Sequence, residues 1–188
     1  MAVQLGQDKV RAMAEKFGFN DQEQDVPVRA YPSVYPSGMD KAQTALSGIG
    51  QFDVTATPLQ MAMVSAAIAN DGKLVSPHMV SRTTDSGGEV VKDYDDSAES
   101  EQVVSSSTAG QLRSAMETVV KDGTGTNALI DGVTVGGKTG TAQHGANNSE
   151  TPYAWFTSYG KSDSGGKEVA VAVMVEQSDA ARSEVSGN

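Results

Sequence analysis

Apolar positions recur at helical spacing in three parts of the chain and alternate at strand spacing near its end. Across residues 8–17, Val10, Met13, Ala14 and Phe17 fall on one helical face, and Gly18 stops the run. Thr57-Pro58-Leu59-Gln60 reads as a helix start, with Thr57 as N-cap, Pro58 in the first turn and Gln60 placed to close a capping box. That helix runs through Met61, Val64, Ala67 and Ile68 to the stop Asn70-Asp71-Gly72, and its small and sulfur-bearing residues predict a buried core helix. A further helix is predicted from about Thr108, with Gln111 in the capping-box position and Leu112, Met116, Val119 and Val120 buried, ending at Asp122-Gly123-Thr124-Gly125. Residues 127–130 add one short turn.

Between the helices lie segments of other character. Residues 19–40 are polar and proline-rich, with the tandem Tyr31-Pro32-Ser33 and Tyr35-Pro36-Ser37, and read as a long surface loop packed on its own domain. Residues 74–83 and 89–94 are predicted as two strands joined by the hairpin turn Asp85-Ser86-Gly87-Gly88. Residues 95–107 are acidic and serine-rich and read as a solvated loop. The last third is strand-rich: residues 133–142, 153–159 and 168–176. In the third of these, Val169, Val171, Val173 and Val175 share one face, while Ala170, Ala172 and Met174 share the other. Apolar residues on both faces predict a central, doubly covered strand. Short Gly- and Asn-rich turns predict antiparallel pairing in sequence order. The fold class is therefore α/β of the α+β kind, an antiparallel sheet with packed helices. Residues 1–130 form a mostly helical part with a hairpin near 74–94, and residues 131–178 form the sheet part.

The most informative stretch is Gly132-Val133-Thr134-Val135-Gly136-Gly137-Lys138-Thr139-Gly140-Thr141-Ala142-Gln143. Read from Gly132 it fits G-x-x-x-x-G-K-[ST], a loop that cradles nucleotide phosphates. Read from Lys138 it is the K-T-G element of penicillin-binding serine acyl-transferases. The two readings demand opposite structures. A phosphate loop needs a helix opening at Lys138 so that backbone N–H groups face the anion. The sequence that follows, Gly140-Thr141-Ala142-Gln143-His144-Gly145-Ala146-Asn147-Asn148, has no apolar residue at helical spacing and cannot supply one. The K-T-G reading wants an extended strand with small residues, which Val133, Val135, the glycines and the threonines provide.

Bulk properties narrow the partners. The chain has 188 residues, enough for a sizeable core, with 38% hydrophobic and 20% charged residues. A formal charge of −10 argues against nucleic acid and anionic membrane surfaces. With no cysteine, neither disulfides nor thiolate chemistry are available. The apolar runs at 61–69 and 169–175 are too short to span a bilayer. His78 and His144 lack ligand-spaced partners, so neither a metal nor a cofactor is expected. Glu176 and Asp179 show no acid–base counterpart, and Trp155 is expected in the core.

Several runs together resemble one family. Gly48-Ile49-Gly50-Gln51, Thr55-Ala56-Thr57-Pro58-Leu59-Gln60-Met61-Ala62, Asn70-Asp71-Gly72, Pro77-His78, Met116 with Val119-Val120, Gly123-Thr124-Gly125 and Gly137 through Gln143 occur in that order. The combination resembles the transpeptidase domain of high-molecular-weight penicillin-binding proteins, most nearly the actinobacterial type. The resemblance implies part of the β-lactamase/penicillin-binding-protein fold. It also implies a membrane-anchored parent on the outer face of the bacterial cell membrane, acting on peptidoglycan stem peptides and acylated by β-lactams. Lys138 and Thr141 then take catalytic roles: Lys138 holds positive charge toward the substrate carboxylate and assists proton transfer, and the Thr141 N–H is one oxyanion donor. Thr139, Gly140 and Gln143 take substrate-binding roles.

The family's Ser-x-x-Lys and Ser-x-Asn elements should precede K-T-G. Ser158-Tyr159-Gly160-Lys161 and Ser186-Gly187-Asn188 fit those patterns but follow it. The expectation is a fragment of a peptidoglycan D,D-transpeptidase, without turnover by itself, self-associated or dependent on a complementing N-terminal half. Alternatives are a non-catalytic binding module for penicillin or D-Ala-D-Ala, a structural remnant, and the nucleotide binder.

Overall fold

The computed structural model describes residues 1–22, 30–94 and 100–176. Three strands, β5 (Val133–Ala142), β6 (Tyr153–Ser162) and β7 (Glu168–Val175), form an antiparallel sheet in the order β5-β6-β7, as the short turns and alternating valines predict. The first helices are α1 (Ala2–Leu5), α2 (Gln7–Lys16) and α3 (Lys41–Ser47). The longer α4 (Pro58–Ala69) packs on β6 and β7, and α5 (Ser106–Asp122) lies along β5. Two small antiparallel ribbons complete the described chain: β1 (Lys73–Val75) with β4 (Ser100–Gln102), and β2 (Arg82–Thr84) with β3 (Val90–Asp93).

Helix α4 starts where the sequence places it, with Thr57 Oγ1 accepting from Gln60 N at 3.1 Å. The capping box does not close as expected. Thr57 N donates instead to Ser33 Oγ at 3.0 Å, and the fully buried Gln60 sends Nε2 to Phe17 O. A residue read as a local cap is thus a long-range tie between α4 and the end of α2. A complete box does occur at α3, where Asp40 Oδ1 accepts from Gln43 N and Gln43 Oε1 accepts from Asp40 N, each at 2.8 Å.

Four other expectations are corrected. The single strand predicted over residues 74–83 is two short strands in different ribbons, with Pro77, which cannot donate to a ladder, in the gap between them. The hairpin turn at 85–88 stands, held by Asp85 Oδ1 accepting from Gly87 N at 2.8 Å and Glu89 N at 3.0 Å. Part of the acidic loop is strand β4. Helix α5 begins earlier than Thr108, with Ser105 Oγ accepting from Thr108 N at 3.1 Å, and it leaves Leu112 exposed while burying Ala109, Met116 and Val120.

Strand β7 is the edge, not the centre, of the three-stranded sheet among the described residues. Its alanine and methionine face meets α4, whereas Val169, Val171, Val173 and Val175 are 45–58% exposed. The core sits on the α4 side, where Tyr159 packs with Ile68 and Met116. Ser65 Oγ and Thr157 Oγ1 lie 2.6 Å apart in the interior, and Thr157 donates to Met61 O at 2.8 Å. Thr157 has one proton, so Ser65 must be the donor to it. This chain of hydroxyls pins α4 to β6 directly across from Lys138, the register partner of Thr157.

The described part of the Tyr-Pro-Ser loop is packed rather than free. Ser33 is fully buried, and the Tyr35 hydroxyl lies 2.6 Å from Ser47 Oγ, while Tyr31 stays exposed.

Candidate active site

Residues two apart on a strand share a face, so the register fixes what surrounds Lys138. Lys138 and Gly140 stand opposite Thr157 and Trp155, which in turn stand opposite Ala172 and Met174. Among the described residues β5 has a strand partner on one side only, and Lys138, Gly140, Trp155, Thr157 and Met174 from one face of the sheet line a cleft of about 930 Å³. Lys138, Thr139, Gly140 and Thr141 all line it. Also lining it are Tyr35, Ser47, Gln51 and Thr55 from α3 and the loops on either side of it, and Met61 from α4. The structure thus brings together four of the five residues singled out from sequence. The fifth, Gln143, follows the strand's end, is exposed and does not line the cleft.

Lys138 is the one charged side chain among the described residues lining this cleft, in a chain whose net charge is −10. Apart from the Gln51 amide, the rest of the lining is apolar or hydroxyl-bearing. Lys138 is exposed, and its Nζ donates to the Thr139 carbonyl. Thr139 Oγ1 lies 2.7 Å from Thr124 Oγ1, on the turn that follows α5. A single cation flanked by hydroxyl donors suits a monoanion with several acceptor oxygens, such as a carboxylate.

The glycines of this strand divide their work. A Cβ at Gly136 would lie 2.5 Å from Tyr159 ring carbons, and one at Gly137 would lie 2.5 Å from Phe156 Cζ. These two glycines are required for internal packing. At Gly140 the nearest atom to such a Cβ is Trp155 Cβ, at 3.2 Å, and that residue borders the cleft. Of the three, Gly140, the one given a substrate-binding role from sequence, has the most room for an added Cβ.

Thr124, Tyr153 and Trp155 were not assigned to the site from sequence. Trp155, expected in the core, is half-buried and lines the cleft, and its position opposite Gly140 was the signal available once the strands were paired. The His144 ring stacks on Tyr153 with centroids 4.0 Å apart, and its Nε2 lies 2.7 Å from Thr151 O. Among the described residues no group of three or more His, Cys, Asp or Glu side chains converges as a metal site would. Asp179 and Ser186-Gly187-Asn188 lie outside the described residues.

Ser158 and Lys161 sit three apart on β6, where odd spacing points them to opposite faces, and Lys161 Nζ pairs with Glu168 Oε1 at 2.7 Å. A second run, Ser164-Gly165-Gly166-Lys167, also spells Ser-x-x-Lys, but it forms the turn between β6 and β7. Neither places a lysine beside a serine on a helix.

A β-strand through Lys138, ending at Ala142, overturns the phosphate-loop reading, since no helix begins at the lysine. The helix-backed antiparallel sheet, with K-T-G on an outer strand among the described residues, has the fold of penicillin-binding-protein transpeptidase structures. More particularly, the chain belongs to the family described as the penicillin binding protein transpeptidase domain, which it matches over residues 1–188. It is 35% identical over 178 residues to the peptidoglycan D,D-transpeptidase PbpA of Mycolicibacterium smegmatis, covering 94% of this chain and 35% of that protein. The chain thus spans about a third of the length of that relative. Among solved structures, it resembles the D,D-transpeptidase domain of a peptidoglycan glycosyltransferase from Eggerthella lenta, with a TM-score of 0.79, 33% identity and coverage of 95% of this chain and 45% of the other. It likewise resembles penicillin-binding protein A of M. tuberculosis in a ceftriaxone acyl-enzyme complex, with a TM-score of 0.79, 31% identity and coverage of 93% and 40%.

Proposed function

We propose that this chain forms the K-T-G wall of a peptidoglycan D,D-transpeptidase, and that the nucleophilic serine and the Ser-x-Asn element belong to a part of the enzyme outside it. The observation that carries this reading is Lys138, the lone charge among the described residues lining a hydroxyl-rich cleft, on a strand edge that has no strand partner there. In the complete enzyme the serine Oγ attacks the carbonyl of the penultimate D-alanine, and the peptide C–N bond breaks. D-Alanine leaves with a proton and an acyl-serine remains. An acceptor amine then attacks the ester, the serine oxygen leaves and recovers its proton, and a crosslinking amide forms.

In this scheme Lys138 and the Thr139 hydroxyl hold the terminal carboxylate, and Gly140 lets the substrate backbone approach. The Thr141 N–H stabilises the oxyanion, a contribution of about 3 kcal/mol for one such donor. β-Lactams, which place a carboxylate beside a strained acyl group, would occupy the same wall. Among the described residues no helix is long and apolar enough to cross a membrane. In this proposal the parent protein acts at the outer face of the bacterial cell membrane.

The test is intact mass and equilibrium binding with penicillin G. The expected result is saturable, reversible binding that is lost in Lys138→Ala, with the mass of the chain unchanged. A stable serine adduct would overturn the placement of the nucleophile outside this chain. Absence of saturable binding, or binding indifferent to Lys138→Ala, would overturn the ligand-wall role.

A further inference from the structure

The Thr139 hydroxyl has a hydroxyl neighbour fifteen positions earlier in the chain, Thr124. Gly123-Thr124-Gly125 closes the C-terminal end of α5, and the N–H groups of both glycines donate to Val119 O, at 3.2 and 2.9 Å. On one side of Thr124 a side chain is excluded, and on the other it would be crowded. A Cβ at Gly123 would lie 2.8 Å from Val119 Cα, and one at Gly125 would press on Val119 and Phe156 at 3.3–3.4 Å. The turn is therefore clamped against the helix end. Its one side chain, Thr124, reaches the cleft with its hydroxyl 2.7 Å from Thr139 Oγ1.

Each threonine hydroxyl has one proton and two lone pairs. If Thr139 donates to Thr124, it has no proton left for a ligand. If Thr124 donates to Thr139, the Thr139 proton is free to point elsewhere. We propose that Thr124 is a positioning residue: by donating to Thr139 Oγ1 it turns the Thr139 proton toward a ligand carboxylate held beside Lys138. This rests on the carboxylate-binding role of the lysine strand proposed above. It predicts selectivity as well as affinity, because an anionic oxygen rewards an aimed donor far more than a neutral ester does.

Two measurements on the isotopically labelled chain decide it. The first needs no ligand: three-bond couplings report the Thr139 χ1 angle. A single rotamer is expected in the parent and in Thr124→Ser, and averaging in Thr124→Val or Thr124→Ala. A Thr139 rotamer that stays fixed in both hydroxyl-less variants overturns the proposal. The second follows the amide shifts of residues 139–141 on titration with penicillin G and with its methyl ester. Loss of the hydroxyl should weaken penicillin G about tenfold, the scale of one hydrogen bond to a charged group. The ester should change less than about twofold, and Thr124→Ser should restore the parent's affinity. Equal losses for acid and ester, or no rescue by serine in a natively folded variant, also overturn it. If the parent binds neither compound, the proposed function fails while the rotamer measurement still decides Thr124.

Discussion

Replacing Gly136 with alanine separates packing from ligand access on the lysine strand. Gly136 stands opposite Tyr159, and the added methyl would lie 2.5 Å from two carbons of its ring and 2.6 Å from its hydroxyl oxygen. Carbon atoms in contact prefer about 3.5–4.0 Å, so the ring must retreat by roughly 1 Å. Tyr159 has little room to do so: it is 4% exposed, packs on Ile68 and Met116, and donates to Glu117 Oε1 at 3.0 Å. Overpacking of this kind costs about 1–3 kcal/mol, and the strained or lost hydroxyl bond adds about 0.5–1.5 kcal/mol. The sum, about 2–4 kcal/mol, corresponds to a fall in Tm of roughly 5–15 °C for a chain of this length.

Gly140→Ala is the matched control. Its methyl meets only Trp155 Cβ, at 3.2 Å, and its stability effect should stay below about 1 kcal/mol. Circular dichroism melts and urea titrations of both variants check the order. In a Tyr159→Leu background the Gly136→Ala penalty should largely vanish, since the ring it strikes is gone. A Gly136→Ala variant melting within about 2 °C of the parent, or above Gly140→Ala, would refute the division of roles among these glycines.

Other outcomes follow from the same contacts. Burial, reinforced by the bond to Glu117, pushes the Tyr159 phenol up, so the folded state keeps this proton after the unfolded chain loses it near pH 10. Its contribution is therefore full below that range and falls as pH rises above it, and urea melts between pH 9 and 11 should decline less steeply for Tyr159→Phe. Arg113 Nη1 donates to Ile68 O at 2.9 Å and Nη2 pairs with Asp71 Oδ1 at 2.8 Å. Arg113→Ala should thus cost about 1–3 kcal/mol in chemical denaturation, with little recovery by lysine, which lacks the fork. The valine face of β7 should drive concentration-dependent association in sedimentation, reduced by the pair Val171→Thr and Val173→Thr. A parent chain that stays monomeric at every concentration would count against that.

The parts of this fold that were legible are those whose cause is local. Thr57-Pro58 marks the start of α4 because a cap and a fixed φ act within one turn. The order β5-β6-β7 follows from alternation and from turns too short to cross over. Strand β4 was not legible: Ser100, Glu101 and Gln102 are all exposed and show no apolar alternation. Its place is set by Gln102 Nε2 donating to Asp71 O at 2.9 Å and by Val103 N donating to Gly72 O at 2.9 Å. Asp40-x-x-Gln43 did carry a readable capping box, and overlooking it hid α3. Strand β7 misled for a different reason. Hydrophobicity on both faces records what a strand is suited to bury, and among the described residues only the alanine and methionine face is packed against a helix.

The lysine strand shows why the surroundings of a short motif decide its chemistry. Gly-Lys-Thr supplies the same side chains to a phosphate loop and to an acyl-transfer cleft. In a phosphate loop successive N–H groups converge on one anion at a helix start. In an antiparallel ribbon successive N–H groups alternate sides, so about half are committed to the neighbouring strand. Here that neighbour is β6, in unbroken register from Val133 opposite Ser162 to Ala142 opposite Tyr153. A polyphosphate would find no converging amides, only one ammonium group and scattered hydroxyls. The carboxylate proposed above needs no more than that: one cation, one hydroxyl donor and room beside Gly140. Pairing along β5, set by residues 11 to 29 positions downstream, therefore favours the carboxylate role proposed for this lysine over a phosphate loop.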